Sequence, residues 1–143
     1  MLQGCQPAKN AYKALGGSQI TILQMYSPQL LEHFEHPRNT GELTNPDASA
    51  QVENPACGDI LQLTLQLKDD RIVDVRFRAK GCVPAMACGS AVTELVKGRT
   101  IAEARTLRPL DVEHAVGGLP QASSHASHLA IDALTAALKH SQS

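Results

Sequence analysis

Residues 61–67, LQLTLQL, carry leucine at every odd position. A strict two-residue period is the mark of a strand with one buried face. VDVRF at 73–77 alternates in the same way, and the intervening KDDRI holds two aspartates, which tolerate turn backbone. An antiparallel hairpin is predicted, and parity restricts its register. Directly opposed residues share a face, so the two odd-numbered apolar sets must oppose each other. A three-residue turn, Asp69 to Arg71, meets this condition by pairing Leu67 with Val73 and Leu63 with Phe77. Extended to the far end, the register sets Cys82 opposite Gly58, between Cys57 and Asp59, with opposed α-carbons roughly 4.5–5.5 Å apart. The hairpin alone therefore brings Cys57, Asp59 and Cys82 together.

The rest of the chain reads mainly as helix. SPQLLEHFEH (27–36) has a serine N-cap, proline at the first helical position and a stop at Pro37. PRNTGELTNPDAS is turn-rich and predicts a surface loop. PAMACGSAVTELVKG (84–98) predicts a helix that begins at Pro84 and is capped by Gly98, followed by two short helices in TIAEARTL and RPLDVEHAV. SSHASHLAIDALTAALKH (123–140) is a final amphipathic helix with Ile131, Leu134 and Leu138 on one stripe. The fold class is α+β: a small antiparallel β-sheet built on a hairpin, helices packed on one face, and a metal or cluster site at one end.

At 143 residues the chain has room for one domain with a real core, and 3% aromatics make that core aliphatic. A formal net charge of −1 argues against a nucleic-acid or anionic-membrane partner. No run approaches the ~18 apolar residues of a membrane span. Residues 1–24 lack the basic and apolar pattern of a secretory signal and read as a loose N-terminal extension, or as sequence upstream of a true start at Met25. Cys5 lies there and is assigned no role; residues 25–143 form the domain. Without an export signal a cytoplasmic location follows, where Cys57, Cys82 and Cys88 stay reduced and metal or thiol chemistry outranks a disulfide.

Thiolates and a carboxylate converging on one point suit zinc, iron or an iron–sulfur cluster. Cys82 directly precedes a helix, whose free N–H groups predict a depressed thiol pKa. Cys88, six residues on, shares the stripe of Ala85, Val92 and Leu95 and reads as core. It is about one and a half turns into the helix, a rise of ~6–9 Å, so rearrangement of the first turn would bring it to the site as a replacement ligand.

The strings MYSPQLLEHFEHPRNTG, PACGD, KGC followed by SAVTELVKG, and SHASHLAIDAL occur in the order found in the U-type iron–sulfur cluster scaffold family, IscU and the N-terminal domain of NifU. The chain resembles that family from about Tyr26 to the final helix. The resemblance implies a scaffold that takes sulfur from a cysteine desulfurase, assembles a cluster, [2Fe–2S] or its iron precursor, and passes it to recipient apo-proteins. It places the family's ligands on Cys57, Asp59, Cys82 and His125. An oxygen donor such as Asp59 binds iron less tightly than sulfur does, which suits a scaffold that gives its cluster away. Tyr26 and Arg38 match a region that contacts assembly partners in the family, although helix start and loop structure account for both.

The chain departs from the pattern twice. Where the family reads His-Cys-Ser, it reads His125-Ala126-Ser127, so the third cysteine, which is implicated in sulfur receipt, is absent. Cys88 and His128 are the replacements on offer. Where chaperone-served members read Leu-Pro-Pro-Val-Lys, it reads Leu119-Pro120-Gln121-Ala122-Ser123, which predicts weak or lost contact with the Hsp70-type chaperone. Nothing resembles a nucleophile–base pair serving a small substrate, so the scaffold reading is that of a binding protein. Two alternatives stand beside it: a zinc-dependent, sulfurtransferase-like persulfide relay using Cys82 or Cys88, and a metal-binding regulator of the desulfurase.

Overall fold

The computed structural model describes residues 26–140, so the expectations for residues 1–24, Cys5 and a start at Met25 lie outside the described residues. The hairpin forms as strands β2 (Asp59–Lys68) and β3 (Arg71–Lys80). Its turn is tighter than the sequence predicts. Asp69 and Asp70 alone make it, at φ 54° and 62°, and Lys68 pairs with Arg71. Two successive left-handed residues match the twist of the flanking strands, and aspartate tolerates that backbone. The residue saved in the turn reappears as a bulge between Gln66 and Leu67. Leu67 therefore opposes Ile72 and not Val73; Ile72 is buried while Val73 is 42% exposed. Beyond the bulge the predicted parity holds, with Leu65 on Val75 and Leu63 on Phe77.

A third strand, β1 (Ala48–Asn54), pairs antiparallel with β2 from Ala48↔Leu65 to Asn54↔Asp59. It overturns the loop expectation at its first residues and was not predicted beyond them. The alternation is present as Ala48, Ala50 and Val52, but small side chains carry it and polar residues separate them. The sheet order is β1-β2-β3.

Helix α1 (Pro28–Glu35) is capped by Ser27, whose hydroxyl accepts the Leu30 N–H. The loop after it runs along the outer edge of β3. There Phe77 donates to the Asn39 carbonyl at 2.8 Å and Gly41 donates to the Phe77 carbonyl at 2.9 Å. Arg38 bonds the Glu32 carboxylate at 3.0 Å and the His36 carbonyl at 2.7 Å, which gives it a local structural task. Helix α2 (Val83–Val96) starts one residue before Pro84 and ends two before Gly98. Short helices α3 (Ile101–Arg105) and α4 (Pro109–Ala115) follow, and a 3₁₀ turn at Gln121–Ser123 leads into α5 (His125–His140), two residues later than predicted.

Helices α2 and α5 cover the sheet face made by Leu61, Leu63, Leu65, Val75 and Phe77, as the sequence predicts. Helix α2 is apolar nearly all round because it is central, with the sheet, α1, α4 and α5 about it. Gly89 permits that position. A Cβ there would stand 2.7 Å from the Phe77 ring and 2.8 Å from Leu61 Cδ1.

Gly89→Ala tests this packing. Alanine gains ~1 kcal/mol of helix propensity, but overpacking loses ~1–3 kcal/mol, so a net destabilisation of about 1 kcal/mol is expected in chemical denaturation. A variant as stable as the parent would mean that the ring and the leucine yield freely.

Candidate metal centre

Asp59 opens β2 on the same parity as Leu61 and Leu63, so its side chain enters the covered face and is 4% exposed. A carboxylate there must be satisfied by the protein. Cys82, the N-cap residue of α2, donates its backbone N–H to Asp59 Oδ1 at 3.2 Å and its S–H to Oδ2 at 3.2 Å. His125, the first residue of α5, brings Nε2 to 3.4 Å from the same Oδ2. The same Nε2 also stands 3.7 Å from Cys57 Sγ.

Cys57 sits in the turn between β1 and β2 and is exposed. Asn54 shapes that turn: its carbonyl accepts from Cys57 and Gly58, at 3.2 and 2.6 Å, and its Oδ1 accepts from Ala56 at 3.0 Å. Asn54 is not among the residues predicted for the site, although an asparagine just before Pro55 is a local signal for such a turn. One donor atom each from Cys57, Asp59 and His125 lies within 4.8 Å of the other two; among the described residues no other group of three or more His, Cys, Asp or Glu is so close. Cys82 stands outside this trio and is joined to it through Asp59. Sulfur, nitrogen and oxygen donors in such a set suit zinc or iron.

The other sequence candidates are not members of this trio. Cys88 is fully buried in the aliphatic core, and burial pushes its thiol up to about 12. Ala126 is likewise buried. His128 is exposed, with Nδ1 3.1 Å from the Ser124 carbonyl, and lines a groove of about 500 Å³ beside His125, with Glu53 and Asp132 on its walls.

The thiol of Cys82 corrects the sequence expectation. It is pushed up to about 11, not depressed. Burial is the largest cause. The helix N-terminus acts in the expected direction through the Ala85 N–H, but it is outweighed by burial together with the Asp59 carboxylate, which favours the neutral S–H.

A family model described as NifU-like N terminal domain matches residues 25–143. The chain is 43% identical over 114 residues to the iron-sulfur cluster assembly scaffold protein IscU 1 of Archaeoglobus fulgidus, a match spanning 80% of this chain and 74% of that one. It is 40% identical over 117 residues to the IscU scaffold protein of Escherichia coli K12, spanning 79% and 91%. Among solved structures, the N-terminal NifU-like protein from Brucella abortus superposes with a TM-score of 0.70, covering 85% of this chain and 96% of that one. Its identity is 23%, so this likeness concerns the fold.

The raised Cys82 thiol has a consequence for metal-free protein. The ordinary thiol titrates at 9.0 and the folded one at about 11. Its contribution to stability is therefore complete below about pH 9 and is lost as the pH rises through about 11. Denaturation midpoints taken across that range should fall more steeply for the parent than for Cys82→Ser; parallel curves would remove the assignment.

Proposed function

Because this chain belongs to the NifU-like N-terminal domain family, we propose that it is an iron–sulfur cluster assembly scaffold that builds its cargo on Cys57, Asp59, Cys82 and His125. The convergence of thiol, carboxylate and imidazole at the open end of the hairpin carries this reading. A [2Fe–2S] cluster takes four terminal ligands, two on each iron, and imidazole can stand in for thiolate among them. The four residues supply that number without Cys88.

Each donor has its own part. Cys57, on an exposed turn, is the side from which cargo enters and leaves. Cys82 exchanges its S–H···Oδ2 bond for a bond to iron when it ionises. Asp59 offers oxygen, the weakest donor of the set toward iron, and so the one that lets go first. His125 bridges from Asp59 to Cys57 and holds the turn against the helix. The sulfur comes from a cysteine desulfurase and the finished cluster goes to recipient apo-proteins in the cytoplasm, where the thiols stay reduced. No helix among the described residues is long and apolar enough to cross a membrane.

Anaerobic reconstitution with ferrous iron, L-cysteine, a cysteine desulfurase and excess dithiothreitol, which reduces the delivered persulfide sulfur to sulfide, tests the proposal. The parent should turn brown, with about two iron and two sulfide per loaded chain. Cys57→Ser and Cys82→Ser should each lose most of the colour, and Cys88→Ser should keep it. A colourless parent holding one zinc, with a persulfide on a single thiol, would replace the scaffold reading with the sulfur relay. Colour that disappears with Cys88→Ser would relocate the ligand set.

A further inference from the structure

The position of Asp59 depends on a neighbour that has no side chain. The last pair of β2 and β3 is Ile60 with Lys80, so the next opposed position, on the core face, sets Asp59 against Gly81. Gly81 has φ 150°, a backbone that residues with a Cβ rarely adopt. More decisively, a Cβ at Gly81 would fall onto Asp59 Oδ1, with Asp59 Cγ at 2.7 Å and Asp59 Cβ at 3.0 Å. Gly58, at the same end of the hairpin, differs: it also has positive φ, but a Cβ there would meet nothing within 4 Å. The Asp59 side chain occupies the space left at Gly81 and from there reaches both the N–H and the S–H of Cys82.

We infer that Gly81 is a positioning residue of the metal centre: the open space over its α-carbon holds the Asp59 carboxylate among the sulfur and nitrogen donors. The inference rests on the reading of Cys57, Asp59, Cys82 and His125 as the donor set. A side chain at position 81 turns the carboxylate out and leaves two thiols and an imidazole. The site then changes from a mixed oxygen, nitrogen and sulfur set to a softer one without oxygen, with weaker preference for a hard cation. Gly81 thus controls the donor chemistry of the site without touching the ion.

Titration of metal-free protein with Co²⁺ alone tests this, using the parent, Asp59→Gly, Gly81→Ala and the double variant Asp59→Gly/Gly81→Ala. Glycine at 59 also removes the 3.0 Å contact that an alanine Cβ would keep. Gly81→Ala should reproduce Asp59→Gly: the same change in the Co²⁺ ligand-field bands, retained thiolate-to-metal charge transfer, and affinity lower by about 10–100-fold. Adding Gly81→Ala to Asp59→Gly should change neither measurement further. A Gly81→Ala variant that binds Co²⁺ as the parent does overturns the inference, as does a double variant that loses the full factor twice. Should Gly81→Ala fail to fold, the double variant decides: folded, it shows that the carboxylate was the obstacle; unfolded, that the backbone angle was, and the inference falls. A parent without any thiolate-to-cobalt band removes the donor set itself, which is a different failure.

Discussion

A carboxylate buried at the end of a hairpin has to be compensated, and compensating Asp59 organises this molecule. Isolated in an apolar medium an ionised carboxylate is prohibitively costly, so partners must be built around it. Here they come from two directions. The junction of β3 and α2 supplies the N–H and S–H of Cys82, and the first residue of α5 supplies an imidazole. Three segments distant in sequence are thereby drawn to one point. The same contacts bring a sulfur and a nitrogen, each a possible metal donor, against the carboxylate oxygen.

The two thiols are held differently. Cys82 is fixed by a strand end, a helix start and a hydrogen bond, so its place is set by the most regular part of the fold. Cys57 hangs on a turn that Asn54 closes and is open to solvent. On the proposed reading, one fixed donor and one open donor across a weak oxygen ligand would hold a cluster and also hand it on. A donor set entirely on rigid elements would hold cargo well and release it poorly.

The hairpin is legible because leucine at every second position admits few structures, and parity predicts the observed approach of Cys82 to Asp59. The turn misled because parity alone does not separate a three-residue loop from a two-residue loop plus a bulge; both bring Leu63 to Phe77. Strand β1 escaped notice since Ala48 and Ala50 are too small to register as an apolar period. His125 could not be reached from local pattern at all: its separation of 66 positions from Asp59 is closed only by the packing of α5 on the sheet, and resemblance alone points to it. The sign of the Cys82 shift was missed for a related reason. A helix start is visible in sequence, whereas burial and a facing carboxylate are tertiary facts.

Alanine at position 126 leaves the proposed site with two thiolates, and the core opposes recruitment of a third from Cys88. Extracting that side chain would open the centre of α2, where it is fully buried among aliphatic neighbours, and would ionise a thiol that burial holds near 12. The proposed donors Cys57, Cys82 and Asp59 then bring three negative charges and His125 none, against four for a set with a third thiolate in place of the imidazole. Replacing thiolate by imidazole raises the potential of a [2Fe–2S] centre, because less negative charge surrounds the iron. A cluster on this chain would therefore be easier to reduce and less firmly held than one on a three-cysteine scaffold, and both properties follow from which residues face Asp59 across the end of the hairpin.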